Sequence, residues 1–215
     1  MKVFSVIGIT GSGKTTTIEL IIKELKKRNY SVGTVKHIHF HGFKMDVEGT
    51  NTDRHRKAGS SLVTARGEYE TDILFQEKLS INEILKFYDH DYVILEGVRD
   101  TDSPKIVTAH DEKGIDERLD ETTFAISGRV ADTINEYKGL PAISAVQDIK
   151  ALVDLIEETV CDKYHKKTSL KIGGKEIEMV PFVQKIWLNS IEAILKELEG
   201  YDENGDIEIC IKKAC

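Results

Sequence analysis

Cysteine is scarce: Cys161, Cys210 and Cys215 are the whole complement, an odd number confined to the C-terminal part of the 215 residues. No disulfide framework is indicated, and a reducing cytoplasm fits. No apolar run approaches the roughly 20 residues needed to span a bilayer, and the first residues run straight into a strand pattern without a basic and then apolar leader. A soluble cytoplasmic protein with no membrane partner is expected. Positive charge is not in excess either: 30 Lys and Arg stand against 37 Asp and Glu, a formal net charge of −7. That balance argues against general binding to nucleic acid or acidic lipid and leaves room only for local basic patches. No internal repeat or low-complexity stretch is present. The length suffices for one substantial α/β domain and a small appendage.

The strongest signal is Gly8-Ile9-Thr10-Gly11-Ser12-Gly13-Lys14-Thr15, which fits G-x-x-x-x-G-K-[ST]. Upstream, Val3 to Ile7 reads as a short buried strand. Downstream, Ile18, Ile21, Ile22 and Leu25 recur at the spacing of one helical face. In a strand, loop and helix of this kind Gly8, Gly11 and Gly13 let backbone N–H groups converge on phosphate oxygens, and the helix turns its positive end to the same anion. Lys14 reaches the β and γ phosphates and the Thr15 hydroxyl ligates Mg²⁺. Gly8, Thr10, Gly11, Ser12, Gly13, Lys14, Thr15 and Thr16 are therefore the expected nucleotide-binding residues.

A second strand, Ser31 to Lys36, follows at a distance that demands a parallel crossover. The segment from His37 to Gly59 lacks sustained periodicity and mixes histidines, acids, glycines and a basic cluster, as a long functional loop does. Thr52 or Asp53 is expected to cap a short helix within it, running to Lys57. His37, His39 and His41 alternate as metal ligands on a strand would. No Cys or carboxylate cluster with ligand spacing accompanies them, so loop histidines contacting phosphate or backbone are favoured over structural zinc. Arg54 and Arg56 are candidate anion ligands from the same loop.

Further strands are expected at Leu62–Ala65, Asp72–Phe75, Tyr92–Glu96, Lys105–Ala109, Thr123–Ser127 and Leu140–Ser144. Ser80-Ile81-Asn82-Glu83 reads as a capping box opening a helix through Phe87. Glu96 ends its strand where ligands of doubly wound sheets collect, so it is expected near Lys14 and Thr15, holding Mg²⁺ through water or orienting an attacking water. The charged run His110 to Glu121 reads as a solvated excursion. A final covering helix carries Ile149, Leu152, Val153 and Ile156.

The polar bridge Cys161 to Lys167 marks a boundary between a nucleotide-binding domain, 1–162, and a small α+β unit, 168–215. In the latter, strands flank Gly173-Gly174 as a hairpin. Pro181 starts a helix with a wide apolar stripe through Val183, Ile186, Trp187, Ile191, Ile194, Leu195 and Leu198, and Asp206 to Lys212 alternates as a last strand. Burial of Trp187 against the larger domain or a dimer mate is expected.

Together the Gly8–Thr16 loop, the Val35-Lys36-His37 strand end, Arg54-His55-Arg56-Lys57-Ala58-Gly59 and Leu95-Glu96-Gly97 resemble the molybdopterin-guanine dinucleotide biosynthesis adapter family, known as MobB. The resemblance runs from Met1 to about Glu158 and implies a doubly wound, mostly parallel sheet of the P-loop NTPase type. It implies a homodimer that binds GTP with Mg²⁺, hydrolyses it weakly if at all, and assists the guanylyltransferase that joins GMP to molybdopterin. The C-terminal unit resembles an extension of some archaeal members. The family usually has Asp before the Ser or Thr where this chain has Asn51 before Thr52, which leaves the holder of an attacking water open. Lys14, Glu96 and the loop residue Asp46 are the candidates for phosphoryl chemistry. No Asn-Lys-x-Asp guanine signature is visible, so GTP rests on the resemblance. The alternative is a small-metabolite kinase using ATP, with a lid arginine drawn from Arg54, Arg56, Arg66, Arg99 and Arg118.

Overall fold

The computed structural model describes residues 1–162, 170–177, 179–202, 207 and 209. The chain divides into two compact units, Met1–His165 and Lys166–Cys215. In the first, the order is β1 (Lys2–Gly8), α1 (Lys14–Lys27), β2 (Val32–Lys36), α2 (Asn51–Lys57), β3 (Leu62–Arg66), β4 (Thr71–Phe75), α3 (Ile81–Leu85), β5 (Tyr92–Glu96), β6 (Lys105–Thr108), α4 (Glu112–Asp116), β7 (Thr123–Ser127), a 3-10 turn (Arg129–Asp132), β8 (Glu136–Tyr137), β9 (Leu140–Pro141) and α5 (Ile149–Thr159).

Five strands form one parallel sheet in the order β2-β5-β1-β6-β7. Strands joined through helices must run parallel, and both faces then need cover. Alternation along the strands divides the apolar residues accordingly. Phe4, Val6, Tyr92, Ile94, Ile106 and Ala125 pack against Ile18, Ile21 and Leu25 of α1 and Leu152, Val153 and Ile156 of α5. Val3, Val93 and Leu95 pack with Leu85 of α3, and Ile7, Val107 and Ile126 with Ile115 of α4 and Val130. Each such fully buried Leu or Ile stabilises the fold by about 1.5–3 kcal/mol. The direction of strand succession reverses at β1, so the crevice at its carboxyl end is the switch point where ligands bind in such sheets.

Several local expectations change. Helix α2 is capped by Thr50, whose hydroxyl accepts from Asp53 N–H, and not by Thr52 or Asp53. The Asp53 carboxylate, 1% exposed, instead takes Gly49 N–H and the cations of Arg56 and Lys57. These partners, the Gly49 N–H first, hold it well below the usual carboxylate range. The capping box at Ser80 and Glu83 forms, but α3 stops at Leu85, and Phe87 turns to Phe75 with ring centroids 5.5 Å apart. β3 and β4 make an antiparallel hairpin of their own. Leu140–Ser144 is not a sheet strand: Leu140 and Pro141 pair with β8, and a single bridge, Ile126 to Ala142, links the chain beyond Pro141 to β7. Proline has no N–H to extend a ladder there.

In the second unit β10 (Leu170–Ile172) and β11 (Lys175–Ile177) pair antiparallel about Gly173-Gly174, and α6 spans Pro181–Leu195. Val183, Ile186, Ile194 and Leu198 of the expected stripe are exposed and Trp187 is half-buried. The strand expected at Asp206–Lys212 falls for the most part outside the described residues. No described helix is long and apolar enough to cross a membrane.

Candidate functional site

β1 delivers the chain into the glycine loop, and α1 leaves it from Gly13, whose φ of 100° is the left-handed conformation. No side chain caps α1. The first-turn N–H groups of that 14-residue helix are thus turned to the loop's concavity with the positive end of its dipole. Gly11 is left-handed as well, and the loop closes on the neighbouring strand end: Ser12 Oγ is 2.8 Å from both Ile9 O and Thr108 Oγ1. Ser12 is fully buried: its hydroxyl ties the loop to β6 and its N–H donates to Ile9 O at 3.3 Å, so this residue, expected from sequence to bind nucleotide, holds the loop instead. Arg129 N–H donates to Ser12 O at 3.2 Å, pinning the loop on its other side.

Lys14 Nζ donates to Gly8 O at 2.9 Å and Ile9 O at 2.6 Å, a cation held among loop carbonyls at the place an anion would occupy. Burial lowers its pKa, with Glu96 acting in the opposite sense. A cleft of about 820 Å³ joins Gly8, Thr10, Gly11, Gly13, Lys14, Thr15 and Thr16 to His37, His39 and Glu96. Glu96 thus lies with Lys14 and Thr15, as its strand-end position implied. Its carboxylate accepts from Lys36 Nζ at 2.9 Å, because β2 and β5 place Lys36 opposite Glu96 in register. His37 N–H donates to Glu96 O at 2.9 Å, and the His37 and His39 rings lie 4.3 Å apart.

Asp46, Arg54 and Arg56 are not among the cleft residues. Asp46 accepts from Thr50 and Thr52, Arg56 pairs with Asp53, and both border a separate depression of about 360 Å³ beside β4. Arg54 is exposed on α2, a helix whose long approach from β2 carries it clear of the glycine loop.

The sequence marked Arg99 and Arg118 only as lid candidates, and several other cleft residues not at all. The charged run from His110 is no solvated excursion: His110 Nε2 is 3.4 Å from Thr10 O, α4 buries Ile115 completely, and the chain returns Arg118 to the cleft. The buried Gly114-Ile115 pair in the middle of the charges was the available signal. Gly128, Arg129, Asp132 and Ser144 line the end beyond β7. Among the described residues, five cations (Lys14, Lys36, Arg99, Arg118, Arg129) face two carboxylates (Glu96, Asp132) in a chain of net charge −7. That local inversion of sign favours a polyanionic ligand. A larger cavity of about 1030 Å³ lies on the far side of Lys36 and His37, floored by Val35, Leu95 and Val98, but it contains no residue of the glycine loop.

A parallel sheet with its glycine loop at the switch point, an uncapped helix behind it and a strand-end acid on the adjacent strand define a P-loop NTPase fold, a nucleotide-binding class. Within that class, residues 3–129 match the family described as molybdopterin guanine dinucleotide synthesis protein B, MobB, and the chain belongs to it. A provisionally named molybdopterin-guanine dinucleotide biosynthesis adapter protein of Methanocaldococcus jannaschii is 29% identical over 97% of each chain. The adapter protein of Haemophilus influenzae is 32% identical over 59% of this chain and 74% of its own. The crystal structure of Bacillus subtilis MobB superposes with a TM-score of 0.61 at 24% identity, covering 76% of this chain and 100% of that one. A match over 97% of this chain extends into residues 166–215.

Proposed function

We propose that the protein is a GTP-binding accessory factor of molybdenum cofactor maturation, serving the guanylyltransferase that joins GMP to molybdopterin. The observation that carries this reading is the convergence of Lys14, Thr15 and Glu96 in a cationic cleft of a MobB family member. The cradle fits a nucleoside triphosphate: the Gly11 and Gly13 backbone is curled, the α1 N-terminus is uncapped, and Lys14 is already seated beside the loop. Thr15 and Glu96 are the residues that would hold Mg²⁺, which supplies charge neutralisation at the β and γ oxygens when bound. Gly8, Thr10, Gly11, Gly13 and Thr16 contribute backbone and hydroxyl donors to the phosphates, and His37 closes the β5 side. A cytoplasmic homodimer built on residues 1–162, with 168–215 as an appended α+β unit, completes the reading.

Hydrolysis in this account is weak. Lys14 supplies charge, but among the described residues no carboxylate other than Glu96 stands at the phosphate end, and Glu96 is engaged with Lys36. Asp46 just before α2, and Asn51, Arg54 and Arg56 on it, lie outside the cleft and would be carried to the nucleotide by the guanylyltransferase and its molybdopterin. Single-turnover assays of the isolated protein should give about 10⁻⁴ to 10⁻² per second or less, rising when the guanylyltransferase is added. Turnover above about 1 per second alone would mean a complete active site and would overturn the accessory role. One observation favours the alternative of an ATP-dependent small-metabolite kinase: Arg99 and Arg118 reach the cleft as lid arginines would. Stoichiometric transfer of the ATP γ-phosphate to a metabolite would identify that activity.

A further inference from the structure

Resting on the nucleotide reading of this cleft, we propose that Asp132 is the residue that distinguishes guanine from adenine, with Ser144 as its positioning residue. Asp132 lies in the cleft but is ion-paired with none of the five cations there among the described residues. A carboxylate among phosphates would be repelled, so its place is with another part of the ligand. The topology supplies that place. Glu96 ends β5 and Asp132 follows β7, three strands across the sheet, about 14 Å at 4.7–4.9 Å per strand. With the phosphates on the loop at the end of β1, the base of a nucleotide extends toward β7.

The carboxylate is held there by a chain of hydrogen bonds. Ser127 Oγ donates to Ile143 O at 2.8 Å and Ile143 N–H to Ile126 O at 2.9 Å, docking the segment after β9 beside β7. This brings Ser144, 6% exposed, against the 3-10 turn, where its hydroxyl donates to Asp132 Oδ1 at 2.5 Å. Gln147 N–H donates to the same hydroxyl at 3.4 Å, and Asp148 N–H to Ser144 O at 2.8 Å, so the serine is fixed from behind. Asp132 is itself exposed to the cleft, with Oδ2 taking no hydrogen bond among the described residues.

A carboxylate aimed in this way is an acceptor pair. The Watson–Crick edge of guanine offers two adjacent donors, N1–H and the 2-amino group, which such a pair receives bidentately. Adenine offers an acceptor, N1, at the same edge and is repelled. Ala145 and Val146 line the same end, and their backbone N–H groups have no acceptor among the described residues, which leaves a donor for guanine O6. The signature expected from sequence was absent because Asn-Lys does not precede this acid; the serine that completes it lies twelve residues on.

The test is calorimetric titration of the full chain with GTP, ITP, XTP and ATP in Mg²⁺, for the parent and for Asp132→Asn. The asparagine still accepts from Ser144, so the fold is kept. In the parent, ITP, which lacks the 2-amino group, should bind about 10- to 100-fold more weakly than GTP, the scale of a lost hydrogen bond to a charged group. Asp132→Asn should lose a similar factor for GTP and gain affinity both for XTP, whose 2-oxo group takes the amide donor, and for ATP, whose N1 then meets that donor in place of a carboxylate. Equal binding of GTP and ITP by the parent would overturn the proposal without any variant. So would unchanged GTP affinity in Asp132→Asn, with the nucleotide reading left standing. A parent that binds none of the four would end both.

Discussion

Lys14→Ala is expected to weaken GTP binding by about 2–5 kcal/mol, the scale for removing one partner of a desolvated charge pair. The expectation rests on where the ammonium sits. It donates to Gly8 and Ile9 carbonyls inside the loop, and its pKa is lowered by burial. The charge is therefore held partly stripped of water at the mouth of the cradle, where a phosphate replaces the carbonyls as its partner. Among the described residues the other cleft cations enter from elsewhere: Lys36 is paired with Glu96, and Arg99, Arg118 and Arg129 reach the cleft from the segments after β5, β6 and β7. Calorimetry on folded mutant and parent measures the difference, and equal affinities would remove the loop from the account.

Gly128→Ala should be nearly as severe, through the fold. Gly128 has φ 78°, a conformation that L side chains seldom adopt, and a Cβ there would lie 2.3 Å from Ser12 O and 2.9 Å from Thr108 Cβ. The obstruction falls on backbone of the glycine loop, so relief requires moving the loop itself or breaking the Arg129 to Ser12 hydrogen bond that holds it. Strain and displaced packing together should lower unfolding stability by about 2–4 kcal/mol and impair nucleotide binding in whatever protein remains folded. Gly49→Ala is the control. Its φ of 86° carries the same backbone strain, but nothing lies within 4 Å of the added methyl, so a loss of about 1 kcal/mol is expected. Denaturant titrations of the three proteins compare these values. Equal losses for the two variants would show that the contact with the loop is unimportant.

How far the site could be read from sequence depended on how locally each residue is specified. The glycine loop, α1 and the strand ending at Glu96 are written in consecutive residues, as glycine spacing, a 3.6-residue apolar period and a short apolar run, and each stands where the pattern placed it. The far half of the cleft is specified by docking. Gly128 is needed because two loops touch, and Ser144 matters because a segment with too few ladder hydrogen bonds to be a strand lies along β7. Arg118 returns to the cleft because Ile115 is buried among Val107, Ala109 and Val130. None of these has a signature within its own stretch of chain. His37 and His39 line the cleft, but the rest of the loop to Gly59 misled in the opposite way, since its polar composition suggested ligands. Its Asp53, Arg56 and Lys57 pair with one another on a short helix, while Asp46 accepts from Thr50, which caps that helix, and from Thr52.

The most direct test of the central claim is competition between GTP and ATP for the full-length protein in Mg²⁺, read as displacement of a fluorescent guanine nucleotide at fixed protein concentration. The account requires stoichiometric displacement by GTP and at least about tenfold weaker displacement by ATP, the difference of about 1.4 kcal/mol that a single well-placed pair of base hydrogen bonds provides. A clear preference for ATP would contradict the GTP-binding accessory role.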